Sequence, residues 1–192
     1  MSAISWFAFD NETKYDLDTL GKTKDECWKA MRAGRGGLSV SIGWSSETRE
    51  YEVYDEHTLD ELVLEIERAP VVASYSANSY DIPMIEGLIG RKLRIRCLLD
   101  PLELIKKALG GPTRNTRLKQ IAGWTLGMEK AGEGADAAEL WATGQIAKLV
   151  RYTRRDVEVL RALVEHIREH GSVVGPNGLI HLDPPDWIKR LE

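Results

Sequence analysis

At 192 residues, with 43% hydrophobic and 29% charged residues, the chain is expected to form one soluble globular domain with a sizeable core. A net charge of −4 argues against a protein that coats nucleic acid by bulk electrostatics, and no apolar run approaches the roughly 18 residues that span a bilayer. The opening Met-Ser-Ala-Ile-Ser-Trp lacks the pattern of a signal peptide, and Cys27 and Cys97 lie far apart. A disulfide framework or zinc knuckle is therefore not expected, and a cytoplasmic location is.

Ser5–Phe9 is a short apolar run rich in aromatics and bounded by Asp10-Asn11, the pattern of a buried strand. In the polar stretch 11–36, Thr23-Lys-Asp-Glu26 has the capping-box pattern for a short helix reaching Ala33, before the breaker Gly34-Arg-Gly-Gly37. Leu38–Trp44 alternates apolar residues with Ser or Gly, and Glu50–Tyr54 pairs back across the turn Ser45-Ser-Glu-Thr48, giving a three-stranded meander. Thr58 is expected to cap a helix carrying Leu59, Leu62, Val63, Ile66 and Ala69 on one face. Val71–Tyr75 and Ile95–Leu99 read as strands, with a short helix at Asp81–Leu88 whose first turn holds Pro83. Helices then follow at Pro101–Leu109, Arg117–Trp124 and Gln145 to about Glu169, with a break at Gly110-Gly-Pro112. After Gly171 a weak hairpin signal at Val173–His181 leads into a Pro-Pro-Asp-Trp tail. The order β-β-β-α-β-α-β followed by helices predicts an α/β fold, an antiparallel meander continuing into βα units.

Charge is unevenly spread. Residues 91–119 hold nine basic side chains against Asp100 and Glu103, and Lys148, Arg151, Arg154 and Arg155 surround Tyr152 and Asp156. Such clusters form solvated helix faces or local phosphate-binding surfaces.

Three groups of residues carry chemistry. Asp10 and Glu12 sit two apart at the end of a strand, so both point to one side, about 7 Å apart along the chain. Two carboxylates held this way repel unless a cation lies between them, and oxygen ligands suit Mg²⁺ or Mn²⁺. Tyr152 and Asp156, at i and i+4, share one helix face. A surface ion pair of Asp156 with Arg151 or Arg155 is the alternative, but Asp156 lies next to the apolar stripe Val150, Val157, Leu160 and Leu163, which points it at the sheet. Asp81 arrives at a helix start after a small polar loop, where an N-cap role is the simplest reading.

Together, Phe7-Ala-Phe-Asp-Asn-Glu-Thr13, Tyr75 to Ile85 and Tyr152-Thr-Arg-Arg-Asp-Val157 resemble the three motifs of the DEDD exonucleases. That superfamily contains the proofreading domains of DNA polymerases and has a ribonuclease-H-like fold. Tyr four residues before Asp156 is similar to the tyrosine subclass. The resemblance covers roughly residues 4–170. More narrowly, Leu118-Lys-Gln-Ile-Ala-Gly-Trp-Thr-Leu-Gly127, Lys130 and Gly144-x₇-Tyr152 resemble the bacterial exonuclease domain often joined to helicases. No P-loop is present in this sequence. That subgroup usually carries Asn where Ser76 stands; here Asn78 follows two residues later.

The resemblance implies a mixed five-stranded sheet flanked by helices in a domain over residues 1–171, with 172–192 as a tail packed on it. It implies two divalent ions, Mg²⁺ or Mn²⁺, held by Asp10, Glu12, Asp81 and Asp156, with Tyr152 orienting the attacking water. The implied activity is 3′–5′ exonuclease cleavage of nucleic acid, single-stranded DNA favoured over RNA, releasing nucleoside 5′-monophosphates. Thr13, Ser76, Asn78, Arg114, Arg117, Lys119 and Arg151 are the expected substrate contacts, with Lys148 a further candidate for phosphate. A separate helicase or polymerase chain is an expected partner, and a membrane is not. Trp124 and Trp141 would stack on bases or lie in the core. Two rivals are a binding module of the same fold with weak catalysis, and a zinc enzyme using His166 and His170. The zinc reading lacks a third ligand in the sequence pattern.

Overall fold

β1 (Trp6–Thr13) is the central strand of a five-stranded sheet ordered β3-β2-β1-β4-β5. The computed structural model describes residues 2–111, 114–128 and 137–192. β2 (Leu38–Ser45) pairs antiparallel with β1, and β3 (Tyr51–Tyr54) antiparallel with β2. On the other side β4 (Val71–Ala73) and β5 (Leu98–Leu99) run parallel to β1. This is the expected mixed α/β sheet, and among the described residues seven helices flank it.

Alternation along β1 sorts the helices into two layers. Phe7 and Phe9 face a core with Met31 of α1 (Lys24–Arg32), Leu62 and Ile66 of α2 (Leu59–Arg68), and Met84 and Ile85 of α3 (Asp81–Ile89). Trp6 and Ala8 face the opposite core. There they meet Ile105 of α4 (Pro101–Leu109), Ile121 of α5 (Leu118–Leu126), Leu140 of α6 (Ala137–Ala142) and the apolar stripe of α7 (Ile146–His170).

Several boundaries differ from the sequence reading. β1 does not stop at Phe9. β2 pairs with it from Phe7↔Ser45 to Thr13↔Leu38, so the ladder satisfies the backbone of the polar stretch Asp10–Glu12 and carries it as strand. The 95–99 run contributes only Leu98 and Leu99, because β4 offers it only Val72 and Ala73. Thr58 holds the expected N-cap position of α2, but its side chain makes no capping hydrogen bond. Its hydroxyl accepts from the Asp55 N–H at 2.9 Å instead of from the helix. The six-residue α6 had no sequence signal, and Pro112 and Lys130 lie outside the described residues.

Residues past α7 close back on the same core. The β6–β7 hairpin (Ser172–Gly175 and Gly178–His181) buries Val173 and Ile180, and the last turn buries Ile188 and Leu191. Ile4 bridges Leu191, and the Trp6 indole N–H donates to the Glu192 carbonyl at 2.7 Å. Among the described residues no helix is long and apolar enough to cross a membrane.

Candidate metal centre

β4 pairs with β1 only from Trp6 to Ala8, and the chain leaves the sheet after Ala73. Asp10–Thr13 therefore run past the end of β4 with only β2 beside them. This places them at the carboxyl end of the parallel strands, the place where open α/β sheets bind ligands. Asp10 and Glu12 share the face of Trp6 and Ala8, the face that α7 covers. Tyr152 and Asp156 lie one turn apart on α7. Asp10, Glu12 and Asp156, all half-buried, each bring one carboxylate oxygen within 4.8 Å of the other two.

Three carboxylates at such spacing repel by roughly 1–4 kcal/mol per pair between aqueous and surface-like dielectric. A divalent cation would offset that repulsion. The donors are all oxygen and come from two rigid elements, which fits a hard ion such as Mg²⁺ or Mn²⁺. Arg155, one of the two arginines that could pair with Asp156 at the surface, pairs with Glu158 at 3.1 Å. Among the described residues this trio is the one group of three acids, histidines or cysteines close enough to share an ion. The His166 and His170 rings lie 4.3 Å apart, and no third ligand joins them in that set.

Asp81 stands outside the trio at that spacing and is only 2% exposed. It does not cap α3; Tyr80 is the N-cap, and Asp81 is the first helical residue. Its oxygens are engaged elsewhere. The Ser74 hydroxyl donates to one at 2.5 Å, and the Asn11 amide, from the opposite face of β1 to Asp10 and Glu12, donates to the other at 3.1 Å. Burial pushes the Asp81 pKa up to about 7 against the pull of these two hydrogen bonds, and the nearby Asp100 carboxyl adds to the rise.

The loop before α3 is held from the far side. Asp100 caps α4 through the Leu102 N–H and also accepts the Ser76 N–H, both at 3.0 Å. Ser76 sits in the left-handed region at φ 66°, where Asn is far more at ease than Ser. The left-handed backbone is a physical reason for Asn at this position in the exonuclease domains that the sequence resembles. Asn78 is exposed.

Thr13 is buried, and its hydroxyl donates to the Tyr15 carbonyl at 2.8 Å and lies 3.3 Å from the Tyr80 hydroxyl. Arg114, Arg117, Lys119, Lys148 and Arg151 are all exposed. The Tyr75 hydroxyl donates to the Thr116 carbonyl, tying the Arg114–Arg117 segment to the end of β4. Trp124 is 42% exposed, whereas Trp141 packs partly into the core with Lys14 Nζ 5.1 Å from its ring centre.

Asn11, Ser74 and Asp100 did not stand out in the sequence. Asp100-Pro101 before an apolar helix is a cap signal. Asn11 carries only the weaker signal of a polar residue on the apolar side of a strand.

A family model described as the RNase_H superfamily matches residues 37–169, more than half of the chain, and takes in Asp81, Tyr152 and Asp156. No match was found among the curated proteins. With its central mixed sheet, its helices on both faces and its acids gathered at the carboxyl end of β1, this chain belongs to the ribonuclease H superfamily.

Proposed function

We propose that this protein is a metal-dependent 3′–5′ exonuclease of the DEDD superfamily, tyrosine subclass. It would hydrolyse phosphodiester bonds from the 3′ end of nucleic acid, single-stranded DNA in preference to RNA, and release nucleoside 5′-monophosphates. The observation that supports it most is the meeting of Asp10, Glu12 and Asp156 within 4.8 Å, with Tyr152 one turn before Asp156. Residues 1–171 form the proposed catalytic domain, and a separate helicase or polymerase chain is the proposed partner.

Asp10, Glu12 and Asp156 would hold one divalent ion, and Asp10 and Asp81 would serve a second. When bound, the pair supplies positive charge to the attacking and leaving oxygens of an in-line displacement. The remaining work falls to side chains. The Tyr152 hydroxyl, carried on a rigid 25-residue helix, holds the attacking water by a hydrogen bond. Arg151, Arg114, Arg117 and Lys119 bind the phosphates of the incoming strand. Ser74 and Asn11 fix the rotamer of Asp81.

A second reading, a binding module with weak catalysis, draws on one observation: both Asp81 oxygens are already engaged by Ser74 and Asn11. One experiment separates the two. Single-stranded DNA and RNA labelled at the 5′ end are incubated with Mg²⁺, Mn²⁺ or EDTA, beside Asp10→Ala. The exonuclease gives a ladder shortening from the 3′ end with metal, lost in EDTA and in the variant. Folded protein that binds both strands but shortens neither in any metal would favour the binding module.

A further inference from the structure

The Arg114–Lys119 segment, with its exposed cations, is not the only feature of this surface suited to a polyanion. A groove of about 530 Å³ runs between α1 and α3. It begins at Asn78, in the loop that leads into Asp81, and follows Pro83 and Gly87 along α3. Arg32, Arg91 and Lys92 line its walls. A nine-residue helix such as α3 is ~13 Å long, so the groove leads away from the Asp81 loop over that distance.

We propose that this groove carries the phosphate backbone of a single-stranded nucleic acid whose 3′ end lies at the metal centre. The proposal rests on the nuclease reading and adds a binding surface separate from the Arg114–Lys119 segment.

Two observations support it. The first is a close helix crossing. Gly87 lies inside α3, where glycine is less favourable than alanine. A Cβ there would come within 2.4 Å of the Arg32 carbonyl oxygen and 2.5 Å of the Gly34 nitrogen. The glycine lets the last turn of α1 rest directly on α3, and this sets Arg32 at the groove wall.

The second is charge. Arg32 makes no ion pair among the described residues. Arg91 and Arg94 share the single carboxylate of Glu67, and Lys92 pairs with Glu86 while its side chain stays 88% exposed. Among the residues that line the groove, three cations, Arg32, Arg91 and Lys92, thus stand against the single carboxylate of Glu86. In each pair the cation is the solvent-facing partner, 46% exposed in Arg91 and 88% in Lys92 against 13% in Glu67 and Glu86, so a phosphate arriving from solvent meets the cations first. Cations at the ends of α1 and α3 also suit the helix dipoles. That role alone would not require an open groove that starts in the loop before Asp81.

The test is binding of fluorescent single-stranded DNA, a 20-mer and a 4-mer, in EDTA across a salt series, with Arg32→Ala/Lys92→Ala beside wild type. This pair leaves the Arg91–Glu67 contact in place. Loss of two phosphate contacts should flatten the salt slope of 20-mer binding by about 1.4. It should also weaken 20-mer binding at least tenfold at low salt, and 4-mer binding less than twofold. An unchanged slope, equal weakening of both lengths, or a lowered melting temperature with unchanged binding would overturn the groove. Wild type that fails to bind the 20-mer would do the same. Wild type that binds with the expected slope, is weakened by the variant, and still shortens no strand with Mg²⁺ or Mn²⁺ would support the groove and sink the exonuclease reading alone.

Discussion

Burying the carboxyl of Asp81 with only a hydroxyl and an amide as donors penalises its charged form more than its neutral one, and its pKa rises from 3.8 to about 7. The consequence for stability has a definite sign. Between pH 4 and 7 the folded protein keeps a proton that the unfolded chain has released, so this group makes stability fall as pH rises through that window. Other carboxylates superimpose their own slopes, so the informative quantity is a difference. In metal-free protein, denaturant unfolding from pH 4 to 7 should show wild type losing more stability than Asp81→Asn, whose amide does not titrate. Parallel curves would mean that Asp81 ionises as a surface aspartate does. The same burial bears on function, because the ion assigned to Asp81 would have to favour its charged form over the proton.

At the scale of elements, legibility followed sequence distance. The α1 capping box involves four consecutive residues, and both halves form. Thr23 Oγ1 accepts from the Glu26 N–H at 3.2 Å, and Glu26 Oε2 accepts from the Thr23 N–H at 3.2 Å. The spacings Asp10–Glu12 and Tyr152–Asp156 were readable for the same reason, since strand and helix periods alone put each pair on one face. The length of β1 depended on β2, some thirty residues further on, and the partners of Asp81 on an asparagine 70 residues earlier. No local pattern encodes either. The α1–α3 crossing is likewise long-range, and it makes a firm prediction. Alanine should favour an isolated helix at position 87, but the clash with the α1 backbone reverses the sign. Overpacking costs typically 1–3 kcal/mol and alanine regains about 1 kcal/mol of helix propensity, so Gly87→Ala should destabilise the protein by up to about 2 kcal/mol. Thermal unfolding reads this out, and a stabilised variant would show that the two helices do not rest on each other there.

For the whole molecule, the decisive feature is that the trio joins a central strand to a helix more than a hundred residues away. Asp10 and Glu12 come from β1, and Asp156 from the helix packed over it. An ion bound there would stitch the sheet to α7, so its binding energy would also be folding energy. At a hundredfold excess over its dissociation constant, an ion that binds only the folded state adds about 2.7 kcal/mol. For a domain of this size that is roughly 5–10 °C in melting temperature, at about 2–4 °C per kcal/mol. Wild type should therefore show a saturable rise in melting temperature as Mn²⁺ is titrated to millimolar levels. Asp156→Asn, which removes one charge and one ligand, should lose most of it. Glu158→Gln, on the same helix but paired with Arg154 and Arg155, should keep it. Equal rises in all three proteins would place the ion elsewhere, and no rise in folded wild type would sink the trio as a metal centre.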